Sequence, residues 1–97
     1  MLNHVVMFRR KAEVAADAAQ EAALIARMDA LGGQIDVVRG WRLSANELDR
    51  PVCWGYVLES SFDDAEELNA YLFHPLHQAL IGDLKPCFEW AAVDYTV

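Results

Sequence analysis

Ninety-seven residues make one domain, residues 1–97, with a modest core, because a chain of this size folded alone buries only roughly 60–65% of its unfolded surface. Apolar residues make up 55% of it, above the roughly 45–50% usual for soluble domains, and the surplus points to a buried contact with another copy. Eight Lys+Arg against fifteen Asp+Glu give a net charge of −7, with no basic stripe beyond Arg9-Arg10-Lys11. That excludes the clustered positive footprint a nucleic-acid binder needs and disfavours an anionic membrane surface.

The first element is a strand over residues 2–8, built around Val5-Val6. Leu2, His4, Val6 and Phe8 fall on one face and Asn3, Val5, Met7 and Arg9 on the other. An alanine-rich run follows over residues 12–31, with Val14, Ala18, Ala22, Ile25 and Met28 at helical spacing. Gly32-Gly33 is expected to end it through a left-handed C-cap. Residues 35–43 alternate again as a second strand, residues 46–51 are turn-like, and a third strand is expected over residues 52–60 with Trp54, Tyr56 and Leu58 on one face. Asp63, with Glu66 three residues on, reads as a capping box opening a helix that carries Leu68 and Leu72. His74-Pro75 predicts a break, because the residue before proline is pushed out of helical geometry while proline suits the first helical position. A short helix over residues 75–84 and a last strand over residues 88–97 complete the chain.

The order is β-α-β-β-α-β with a broken second helix. Right-handed crossovers fold such a chain into an α+β unit, a four-stranded antiparallel sheet with the helices on one face. Several strands carry large apolar groups on both faces, as expected of a sheet covered on both sides. The predicted cover for the bare face is the same face of a second copy, so the partner is the chain itself, as a homodimer. No run nears the ~20 apolar residues of a membrane span, and the first residues lack a signal core. Cys53 and Cys87 stand far apart without a CxxC pair, which fits a reducing cytoplasm.

Polar residues at core-like positions gather in three places: His4 in the first strand, Tyr71, His74 and His77 across the helix break, and Asp94-Tyr95 in the last strand. The first and last strands are neighbours in this topology, so His4 and Asp94 approach each other, and a helix above them brings His77 near. An imidazole backed by a carboxylate is the usual general base, and a tyrosine hydroxyl beside it can hold a carbonyl oxygen on which charge develops. The alternative is a satisfied core network with no chemistry. A metal site is the weaker reading, since Pro75 spoils the alignment of His74 and His77 and zinc wants a third firm ligand. No phosphate loop, nucleophile elbow or cofactor motif is present, so no cofactor and no metal is expected.

His4-Val5-Val6-Met7-Phe8, Tyr71-Leu72-Phe73-His74-Pro75-Leu76-His77 and Ala92-Val93-Asp94-Tyr95 resemble the opening strand, the YxxHPxH segment and the closing strand of the stress-responsive α/β barrel (Dabb) family. The resemblance implies a ferredoxin-like protomer that pairs sheet to sheet into a dimeric barrel. One plant polyketide cyclase of the family carries functional residues at the positions of His4, Tyr71, His77 and Asp94. By that resemblance His77 is the base, Asp94 orients it, and Tyr71 and His4 hold the thioester or oxyanion. The leading expectation is a homodimeric protein binding a small carbonyl-containing or apolar ligand between sheet and helices. A cofactor-free cyclase- or monooxygenase-like enzyme and a ligand-free structural stress protein stand as alternatives.

Overall fold

The computed structural model describes residues 1–97. Its elements are β1 (Leu2–Arg10), α1 (Ala18–Leu31), β2 (Gly40–Ala45), β3 (Tyr56–Phe62), α2 (Ala65–Leu72), α3 (Pro75–Leu84) and β4 (Phe88–Thr96). The four strands form one antiparallel sheet in the order β2-β3-β1-β4, a ferredoxin-like α+β arrangement. β1 is therefore paired on both sides, with His4 opposite Ser60 of β3 and Asp94 of β4.

All three helices pack on the face that carries His4, Val6 and Phe8. The core lies between, around Phe8, Phe62, Leu68, Tyr71, Leu84 and Phe88. Arg10 Nη1 and Tyr56 Oη both donate to Glu21, at 3.1 and 2.5 Å, which ties α1 to β1 and β3. On the other face Val5, Met7, Val57, Val93 and Tyr95 have no helix above them, and Met7, Val93 and Tyr95 are exposed.

Several sequence expectations shift against the structure. α1 starts at Ala18 rather than at residue 12, because Asp17 is extended and its carboxylate accepts from the Gln20 amide at 3.0 Å. Its buried stripe is Leu24, Met28 and Leu31, with Ala18 and Ala22 exposed. Alanine offers too little apolar area to anchor a face, so the larger side chains set the rotation of the helix. β2 starts at Gly40 rather than at residue 35. The preceding residues form a turn, with Val38 N–H donating to the Ile35 carbonyl at 3.2 Å, and Ile35 is buried as a plug. β3 is displaced towards Phe62 and begins at Tyr56. α2 is capped one residue later than expected, by Asp64, whose carboxylate accepts from the Glu67 amide at 2.9 Å. Asp63 instead pairs with Arg39 at 3.3 Å.

The glycine pair also works differently from the expected left-handed cap. Gly32 sits at φ −59°, and no glycine in the chain has a positive φ. Gly32 is needed for closeness: a Cβ there would lie 2.2 Å from the indole of Trp41, whereas one on Gly33 would meet only the Ala30 carbonyl at 3.8 Å. Gly32→Ala is therefore expected to destabilise the protein by about 1–3 kcal/mol, a cost typical of overpacking. For a domain of this size that lowers the melting temperature by roughly 4–8 °C per kcal/mol. Gly33→Ala is expected to leave it nearly unchanged, and thermal denaturation of both variants checks the contrast.

Candidate functional site

The helix break builds half of the site. As expected from the sequence, α2 ends at Leu72 and α3 begins at Pro75, with His74 extended between them at ψ 137°. His74 is the N-cap of α3, its Nδ1 accepting from the Leu76 amide at 3.1 Å. In an unbroken helix that amide would bond the Leu72 carbonyl four residues back. Diverting it leaves the Leu72 carbonyl free, and the first turn of α3 supplies two replacement donors. Gln78 Nε2 reaches it at 2.6 Å and His77 Nδ1 at 2.8 Å. The spacing of His74, Pro75 and His77 thus has a mechanical reading: one histidine caps the helix and the other repairs what the cap leaves open.

The β1–β4 ladder builds the other half. His4 and Asp94 are register partners, and the carboxylate of Asp94 accepts from Nδ1 of His4. His4 is buried, while the Asp94 side chain is 48% exposed on the edge strand. Ser60 Oγ donates to the His4 carbonyl at 2.9 Å from the other side.

Tyr71, from α2, stands between the two histidines. Its ring centroid is 4.5 Å from that of His77 and 6.3 Å from that of His4, and Phe62 and Trp41 pack on its remaining sides at 5.2 and 5.8 Å. Its hydroxyl has no protein partner, yet Trp41 Nε1 is the buried side-chain polar atom cut off from both partner and surface. The Tyr71 hydroxyl therefore keeps accessible surface. Burial pushes its pKa well up, so it remains a protonated donor.

These groups share one cavity of about 370 Å³ between the sheet and the broken helix. His4, Asp94, His77 and the Tyr71 hydroxyl are its polar groups, and the rest of the wall is apolar. The floor follows from the strand ladder, where Phe8 faces Trp90, Val6 faces Ala92 and His4 faces Asp94. Small residues in the middle pair leave the space open. The cavity reaches the surface along β4, which is exposed from Ala91 onwards.

The four residues singled out from the sequence thus line one cavity, but the pairing within it differs from the one the resemblance implied. Asp94 stands against His4, and His77 is held by a backbone carbonyl instead. The reason is register: Asp94 lies directly across a strand ladder from His4, whereas His77 is drawn towards the acceptor freed at Leu72. His74 is spent on capping. Sequence reasoning assigns Trp90 to core or interface and gives Ala92 no role, yet both line the cavity; they share a strand face with Asp94, which period-two alternation shows.

A family model described as the stress-responsive A/B barrel domain matches residues 2–97. The chain belongs to the Dabb family. An uncharacterised protein of Streptomyces coelicolor is 36% identical to this Dabb protein over 95 residues, covering 98% of each chain. A dimeric ferredoxin-like protein of unknown function from Bacteroides fragilis superposes with a TM-score of 0.79 at 26% identity, over 99% of this chain and 95% of that one. Another from Thermobifida fusca, also described as dimeric, gives a TM-score of 0.84 at 20% identity, over 99% and 90%.

Burial lowers the pKa of His77 below its ordinary value. The Leu72 carbonyl pulls the other way, and His4 and His74 lower it further. A neutral imidazole in the fold that becomes charged more readily when unfolded makes stability rise with pH. The contribution is fully present above the unfolded value of about 6.5 and is lost as pH falls from there through the folded value. Urea midpoints measured at pH 7.5 and 5.5 are expected to differ less in His77→Gln than in the parent chain.

Proposed function

We propose that this Dabb protein is a homodimer that binds a small, neutral, largely apolar molecule carrying a carbonyl group in the cavity between sheet and helices. The observation that carries this reading is the composition of the cavity wall: an apolar surround with a few convergent polar groups at one end. That is the usual make-up of a small-molecule site, and about 370 Å³ lies within the range of roughly 300–1,000 Å³ such sites occupy. Tyr71 supplies a hydroxyl suited to a carbonyl oxygen, and the two imidazoles supply acceptors. The walls are apolar and the one carboxylate, Asp94, is taken up by His4, so a neutral ligand is favoured over an ionic one.

Self-association is supported by the dimeric relatives and by the bare sheet face. Val5, Met7, Val57, Val93 and Tyr95 form an apolar strip there, and Arg9 at its margin is already paired with Glu89 at 2.7 Å. Covering such a strip with a second copy would bury on the order of 1,600 Å² for a standard interface. The thiols Cys53 and Cys87 are both free, which suits a reducing, cytoplasmic setting. A second reading, a cofactor-free acid/base enzyme, is favoured by the carboxylate behind His4. A purely structural stress role is disfavoured by the unfilled space, because a scaffold gains nothing from an open cavity.

Acetophenone, observed by saturation-transfer NMR with light scattering on the same sample, tests both halves. The parent chain is expected to be a dimer at micromolar concentration and to bind the ketone at millimolar affinity or tighter. Ala92→Trp is expected to abolish binding while leaving the dimer intact. A monomer, or a parent chain that shows no transfer, would contradict the corresponding half.

A further inference from the structure

The cavity holds two imidazoles, and they are not equivalent. His77 spends Nδ1–H on a backbone carbonyl, which carries no charge to match an imidazolium. His4 spends Nδ1–H on the Asp94 carboxylate, which does. In each ring the committed nitrogen is the protonated one, so Nε2 carries the lone pair. Nε2 of His4 has no protein partner and keeps accessible surface, and the space beside it is the cavity.

We infer that His4, and not His77, is the proton-abstracting base of this cavity, with Asp94 as its positioning residue. The inference rests on the small-ligand reading above and names what such a ligand must offer: a weakly acidic C–H next to a carbonyl or an equivalent electron sink. The step balances without a co-reactant. His4 Nε2 takes the proton, the C–H bond breaks, and its electron pair passes to the carbonyl oxygen as an enolate. Asp94 holds the ring in the required tautomer and stabilises the imidazolium that forms. Tyr71, whose ring packs near both imidazoles and whose hydroxyl is a protonated donor without a protein partner, is the group to hold the enolate oxygen. His77 then serves the substrate as a neutral hydrogen-bond acceptor. The proton on Nε2 returns to solvent through the mouth of the cavity along the exposed part of β4, which leaves Nδ1–H on Asp94 and restores the base.

The probe is 5-nitrobenzisoxazole, a neutral bicyclic molecule whose ring opens when a base removes its single activated C–H. The C–H pair becomes the nitrile, the N–O bond breaks, and the oxygen leaves as a coloured phenolate. The full-length chain is expected to accelerate this opening over free imidazole at equal concentration. His4→Gln is expected to lower kcat by roughly 10²-fold, the lower end of what general-base catalysis contributes. Asp94→Asn is expected to lower kcat about tenfold or more with KM nearly unchanged and with the melting curve of the parent chain; loss of binding would raise KM, and loss of fold would show in the melting curve. Because Asp94 is half-exposed, this variant keeps the test open even if His4→Gln fails to fold. His77→Gln is expected to move KM more than kcat. If His77→Gln abolishes kcat while His4→Gln and Asp94→Asn retain it, the assignment is overturned. If the probe binds but opens no faster than with free imidazole, the base is overturned and the ligand cavity stands. If saturation-transfer NMR shows no binding of the probe, the cavity reading fails and the base assignment falls with it.

Discussion

Everything at the site depends on β1 being paired on both edges. A strand fixed by β3 on one side and β4 on the other cannot slip, because a one-residue slip on either side would turn Phe8 and Val6 out of the core. That constraint places His4 beside Asp94 and Ser60 at once, and it stacks Phe8–Trp90, Val6–Ala92 and His4–Asp94 in a row along the cavity floor. The apolar demand of the core thus sets the position of the polar pair.

The helix break acts on the same cavity from above. Pro75 forces a new helix, His74 caps it, and the Leu72 carbonyl is released as an acceptor. One sequence segment therefore yields two histidines with different duties and a third group, Tyr71, lodged between His77 and His4. Beside the Asp94 carboxylate, the three protonatable rings facing the cavity end in distinct states. Tyr71 is a donor kept protonated by burial, His77 is a neutral imidazole held by a carbonyl, and His4 is an imidazole backed by a carboxylate. Such a set can hold a carbonyl oxygen, accept a hydrogen bond and take a proton without any cofactor.

Much of this was legible in the sequence. Period-two alternation placed His4 on the face of Val6 and Phe8, and proline chemistry located the break at His74 within a residue. The element order alone made β1 and β4 neighbours. What was not legible has physical causes. In residues 12–31 alanine is so frequent that periodicity cannot choose a face, and the few large side chains decided it through packing. Residues 35–39 alternate like a strand, but Ile35 is used as a plug and the ladder begins only at Gly40. Which imidazole receives Asp94 is a matter of register on one side and of a freed backbone carbonyl on the other. Neither can be seen until helix and sheet are assembled.

The site turns on the carboxylate of Asp94 belonging to His4. Nitrogen-15-labelled histidine allows the ring N–H protons to be observed directly and assigned to each residue by NMR. A low-field, slowly exchanging Nδ1–H proton is expected on His4 and is lost in Asp94→Asn, while the Nδ1–H proton of His77, held by the Leu72 carbonyl, persists in the same variant. A low-field proton on His77 that vanishes with Asp94, or a His4 proton indifferent to that substitution, would contradict that pairing.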